Sequence, residues 1–232
     1  MLFRSVFLAI VSQTFPVVRS STIRNRGESV MNQLRPRDIR PGDIMLKVYD
    51  GSIFSRVISF GQMGLDNSKV VHAGIMFDSN YIIEAQASGI SANDIRVQNK
   101  GVAYLVFRCK YQRMREGAAT CAKMLFDIHK RQGSMKYNLI GRVRTRLGGL
   151  GAPKSAQAMD MLLDKILRGG QNRLFCSQLV VYIYQFVAQQ SGVAAAALFN
   201  MSDAMASPAV LATALHGSAT FEEAGYMISN ER

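Results

Sequence analysis

The chain has 232 residues, 48% of them hydrophobic, which is enough for one domain with a proper core and excludes low-complexity disorder for most of its length. Lysine and arginine number 28 against 16 aspartates and glutamates, and the net charge of +12 points to an anionic polymer or a membrane surface as partner. The basic residues scatter through 24–40, 108–115 and 142–154 without a nucleic-acid module or interleaved aromatics, so nucleic acid is set aside; three cysteines without a C-x-x-C pair indicate neither a disulfide framework nor a metal site.

In chain order, residues 1–34 read as a leader or tail and residues 35–232 as the domain. "MLFRSVFLAIVSQTFPVVRSS" has one early arginine and an apolar run from Val6 to Val11 but lacks a small-x-small cleavage site, a weak signal-peptide pattern, and the run falls short of the ~20 apolar residues that span a bilayer. After Pro36 and Pro41, Ile44, Leu46 and Val48 alternate as a strand. Strands follow at 68–77 and 80–86, joined by an Asp78-Ser79-Asn80 turn, and at 101–111. A helix is expected over 115–132, with Ala118, Cys121, Leu125 and Ile128 on one face. Two more are expected at 155–168 and 176–190, the first with Ala158, Met159, Leu162, Leu163 and Ile166 for a core or, alternatively, a lipid surface. "GRVRTRLGGLGAPKS" (141–155) lacks G-x-G-x-x-G spacing and reads as a basic loop, so no cofactor is implied. Strands and helices together make an α+β chain.

Cys109 shares strand parity with Leu105 and Phe107, and Cys121 lies on an apolar helix face, so both read as core. Cys176 stands instead where a polar loop gives way to "SQLVVYIYQF", at a helix start, where unpaired N–H groups and the macrodipole favour a thiolate. Its bland alternative is a buried gap-filler. A nucleophilic cysteine needs a base, and His72, His129 and His216 are the choices. His129 sits beside cations near a helix C-terminus and His216 at a helix end before Gly217. His72 lies inside a strand, opposite in parity to Val71, Ala73, Ile75 and Phe77, with Gly74 leaving room beside it. If Phe77 pairs with Tyr81 across a three-residue turn, Gly74 opposes Glu84, and Glu84 becomes the diagonal neighbour of His72, placed to fix its tautomer; a two-residue turn would point Glu84 away. Gln86 is the reserve for that role.

"GDIML" (42–46), "VVHAGIMFDSNYIIEA" (70–85), "YNLIGRV" (137–143), "FCSQLVVYIY" (175–184) and "SPAVLATAL" (207–215) resemble, in that order, the permuted papain-like cysteine hydrolases, the NlpC-related group typified by the YiiX proteins. The resemblance covers roughly residues 38 to 226 and implies a circularly permuted papain-like fold, in which a helix bearing the catalytic cysteine packs against a small antiparallel sheet. It assigns the cysteine to Cys176, the histidine to His72 and the third polar residue to Glu84. The implied chemistry is hydrolysis or transfer at an amide, ester or thioester carbonyl through an acyl-enzyme. An amide of bacterial cell-wall peptide is the leading expectation, with a periplasmic or secreted location and, for a secreted toxin, an immunity protein as partner. A lipid acyl hydrolase or acyltransferase with the same residues, and a catalytically silent binding module, are the alternatives. The long segment between Tyr137 and Cys176 departs from the family pattern, and nothing in the sequence speaks to oligomeric state.

Overall fold

A computed structural model describes residues 32–48, 69–86, 89–130, 176–193, 198–199, 201 and 206–229. The expected leader up to residue 31, the basic loop at 141–155 and the helix expected at 155–168 lie outside the described residues.

The architecture is α+β, and among the described residues it comprises a six-stranded antiparallel sheet and three α-helices. In chain order the elements are β1 (Ile44–Val48), β2 (Val70–Met76), β3 (Tyr81–Gln86), β4 (Gly89–Asp94), β5 (Ala103–Cys109), α1 (Gln112–Lys130), α2 (Cys176–Gln190), α3 (Pro208–His216) and β6 (Phe221–Ile228). The sheet order is β4-β3-β2-β1-β5-β6, so the first of the described strands lies inside the sheet, between β2 and β5. Burial on both sides explains why Ile44, Met45 and Leu46 form an unbroken apolar run.

One face of the sheet presents Ile44, Leu46, Ala73, Ile75, Ile83, Leu105 and Phe107 to the helices. Against it lies α2, whose "LVVYIY" stretch is buried all round, as a helix apolar on every side must be. Helix α1 is amphipathic, burying Ala118, Cys121, Ala122 and Leu125 while exposing Lys123. The opposite face carries Met45, Met76, Ile82, Tyr104, Val106 and Met227, covered by Ile39 and Ile95. Among the described residues no helix is long and apolar enough to cross a membrane.

Strands β4 and β6 extend the sheet beyond the strands that periodicity picks out, and helix α3 ends at His216, before Gly217, as that residue's setting predicts. "GISAND" is poor in β-formers, and "FEEAGYMI" is interrupted by Gly225, whose φ of +141° marks a bulge in its pairing with β5. A Cβ on Gly225 would lie 2.2 Å from the Asn32 carbonyl oxygen, because residues 32–34, at the end of the segment read as leader or tail, run along the outer edge of β6. Helix α3 begins with a Ser207 cap whose Oγ accepts the Val210 N–H at 3.2 Å, followed by Pro208. The Ser177 hydroxyl bonds the Ala206 carbonyl and so ties the start of α2 to the approach to α3.

A corner at Gly42-Asp43 joins the layers. Gly42 adopts φ +85°, and a Cβ there would fall 2.1 Å from the Arg115 carbonyl oxygen of α1. Its own carbonyl accepts the Tyr184 hydroxyl of α2. The Asp43 carboxylate is wholly buried and is gripped by Arg108, with Nε to Oδ1 at 2.9 Å and Nη2 to Oδ2 at 2.6 Å, while the Arg40 N–H donates to Oδ2 at 2.8 Å. Removing the guanidinium strands a buried charge. Arg108→Met is expected to lower unfolding free energy by about 3–5 kcal/mol, read as a reduced urea midpoint.

Candidate active site

The hairpin of β2 and β3 builds the site. Asp78 Oδ1 accepts the N–H groups of Asn80 at 2.7 Å and Tyr81 at 2.8 Å, and the Phe77 N–H bonds the Tyr81 carbonyl at 3.1 Å. The side-chain-closed turn is therefore three residues long, and the register that follows pairs Ile75 with Ile83 and Gly74 with Glu84. Glu84 and His72 share one face of the sheet as diagonal neighbours.

Glu84 is not a solvated strand charge. Its side chain is 3% exposed, and Oε1 lies 3.3 Å from His72 Nε2, with the imidazole 24% exposed. The other oxygen, Oε2, accepts from Asn93 Nδ2 at 2.7 Å, and the same amide nitrogen reaches Ser91 Oγ at 3.3 Å. Gly74 makes the contact possible: a Cβ there would stand 2.9 Å from Glu84 Cγ and 2.7 Å from Ile82 Cδ1. The carboxylate crosses the space that a larger residue would fill.

Cys176 is the first residue of α2 and is 9% exposed. Its side chain is a hydrogen-bonding partner of the His72 imidazole. With Nε2 facing Glu84, Nδ1 is the ring nitrogen left for the sulfur. Helix α2 packs on the face of the sheet opposite Glu84, so His72 has to meet partners from both sides. It does so where the ladder breaks: pairing passes from Lys47–His72 to Val48–Val70, leaving Val71 out of register. Bulges of this kind bend the strand and re-aim its side chains. Val71, expected on the apolar core face with Ala73 and Ile75, is instead 44% exposed for this reason.

Burial disfavours the charged His72 ring, yet the hydrogen bonds to Cys176 and Glu84, with the charges of both, outweigh it and raise the imidazole from its ordinary 6.5 to about 9. At neutral pH the ring is an imidazolium. The other thiols differ in kind. Burial pushes the Cys109 thiol up, and pushes Cys121, enclosed in α1, up to about 12. His216 ends α3, stacks edge-on against Phe107 at 4.9 Å and stands 3.3 Å from Glu223; burial lowers its pKa. His129 packs its ring over Gly89, where a Cβ would approach Nε2 to 2.2 Å. Gln86 lies at the far end of β3, opposite Gly89, and no pairing in the ladder sets it against His72. Among the described residues no group of three or more His, Cys, Asp or Glu is placed to hold a metal ion.

Sequence reasoning missed Asn93, Tyr104 and the bulge. Asn93 lies on β4, whose composition conceals a strand. Tyr104 sits opposite Lys47, itself opposite His72, and its buried hydroxyl has no hydrogen-bond partner among the described residues. Burial and the charge of Glu84 both oppose its ionisation.

Titrating His72 by NMR of histidine-labelled protein is expected to give a pKa near 9, lowered toward 6.5 in Cys176→Ala and also, by less, in Glu84→Gln. Folded protein holds this proton to higher pH than unfolded protein. The pair's contribution to stability is thus complete below pH 6.5 and lost as pH rises through about 9, which pH-dependent urea melts will show. Gly74→Ala is expected to displace Glu84, costing about 1–3 kcal/mol and lowering the His72 pKa in the same titration. Set beside known proteins, the chain matches no protein-family model and no curated protein sequence.

Proposed function

We propose that the chain is a cysteine hydrolase on a circularly permuted papain-like scaffold, cutting an amide bond in bacterial cell-wall peptide through a thioester acyl-enzyme. One observation carries the reading: the His72 imidazole lies 3.3 Å from the buried Glu84 carboxylate and has the side chain of Cys176, the first residue of α2, as its other partner. The cysteine-bearing helix lies on an antiparallel sheet, and the histidine precedes the cysteine in the chain, as the family resemblance implies. The +12 charge suits an anionic wall polymer.

In this mechanism Cys176 works as a thiolate, its proton held by His72. The sulfur attacks the carbonyl carbon, a C–S bond forms, and the oxyanion is taken up by the Cys176 N–H at the start of α2. As the intermediate collapses the C–N bond breaks and the imidazolium gives its proton to the leaving amine. Neutral His72 then takes a proton from water as it attacks the thioester, and the acid product and thiolate are released. Glu84 holds the ring orientation and supports its charge throughout.

The test is incubation with purified peptidoglycan and, separately, anionic phospholipid vesicles, with mass spectrometry of the products. New amine and carboxyl termini in muropeptides are expected, absent with Cys176→Ala and reduced about tenfold with Glu84→Gln. Released fatty acid instead would assign the same residues to a lipid ester, and no product from either would leave a binding module. With peptidoglycan as substrate, kcat/KM is expected to fall as pH rises through about 9, because the leaving amine then lacks its proton donor.

A further inference from the structure

We infer that Asn93 is a positioning residue of this site: its amide holds Glu84 by Oε2 so that Oε1 is presented to His72. The inference rests on reading His72, Cys176 and Glu84 as the working set. A carboxylate turns easily about its last torsion, which has broad, two-fold wells. With one partner at 3.3 Å and nothing on the other oxygen, Glu84 would be poorly held. The Asn93 Nδ2 contact at 2.7 Å is the shorter of its two and removes that freedom.

Asn93 is itself oriented. An amide nitrogen has two hydrogens, and while one serves Glu84 the other reaches Ser91 Oγ at 3.3 Å. The register explains the grouping, since Ser91 opposes Glu84 and Asn93 opposes Ile82, which puts both side chains on the Glu84 face. Strand β4 thereby extends the site by one strand, giving a relay Ser91–Asn93–Glu84–His72–Cys176 across β4, β3, β2 and α2. The remaining titratable neighbours are Lys47 of β1, directly opposite His72, and the buried Tyr104 of β5. Neither is bonded to the Glu84 oxygen that Asn93 takes.

A merely structural Asn93 would satisfy a buried oxygen and matter only to stability. The discriminating measurement is the His72 titration by NMR, which needs no substrate, in Asn93→Ala alone and combined with Glu84→Gln. Positioning through Glu84 requires that Asn93→Ala lower the His72 pKa by about one unit. In the Glu84→Gln background it must add no further shift, because residues acting through one another are non-additive. Peptidoglycan hydrolysis should drop about tenfold in kcat with KM unchanged, the rate equivalent of one charge-assisted hydrogen bond. If Asn93→Ala does not fold, Asn93→Ser, too short to reach Oε2, is read by the same titration. A His72 pKa that stays at the wild-type value, or that shifts equally with and without Glu84, overturns the proposal. Absence of hydrolysis by the wild-type chain overturns the functional reading instead and leaves the titration result standing.

Discussion

A carboxylate withdrawn from water inside a β-sheet needs partners for both oxygens, or it will give up its charge. Glu84 meets that requirement with an imidazole on one oxygen and an amide on the other, and much of the surrounding structure follows from it. The turn at Asp78 sets the register that brings Glu84 diagonal to His72. Gly74 keeps the intervening position empty. The charge on the carboxylate in turn favours a proton on His72 far above the pH at which a free histidine would lose it, and the thiol partner on α2 works in the same direction.

The fold also buries the Asp43 carboxylate completely, and the contrast is instructive. Asp43 is answered by a guanidinium that never titrates in the accessible range, in a two-point fork, at a corner where β1, α1 and α2 converge. That pair is permanent and structural. Glu84 is answered by an imidazole, a group that gives and takes protons near neutrality. The same problem, a buried negative charge, is solved with a fixed cation where the layers are joined and with a titratable one where chemistry is proposed.

The hairpin was legible because its determinants are local. "FDSNY" encodes a side-chain-closed three-residue turn, and once turn length is known, strand parity places Glu84 beside His72. The body of α2 was legible too, since Leu179, Val180, Ile183, Phe186 and Val187 recur at helical spacing and are buried in it. What escaped was non-local. The bulge at Val71 arises from how β1 meets β2, and no feature of "VVHAG" announces that the first of the flanking residues will leave the ladder. Strand β4 is made of glycine, serine, asparagine and aspartate around two apolar residues, so its strand character comes from pairing with β3 and not from propensity, and Asn93 stayed hidden with it. Strand β6 was masked in the same way by Gly225 and two glutamates. Helix α1 begins at Gln112, three residues before the start its periodicity predicts, an ordinary difference at a helix boundary.

The placement of Cys176 on a late helix also has a consequence for biosynthesis. His72 and Glu84 belong to one hairpin, formed by contacts between residues close in the chain, whereas their sulfur partner comes roughly 90 residues after Glu84. At about 5–20 residues per second, a ribosome needs about 5 to 20 seconds to cover that distance. During that interval the nascent chain can carry a folded imidazole–carboxylate pair but no Cys176, and the two thiols already made, Cys109 and Cys121, end in the core. Assembly of the thiol–imidazole contact therefore waits until α2 has been made, whereas α3 and the edge strand β6 follow it in the chain.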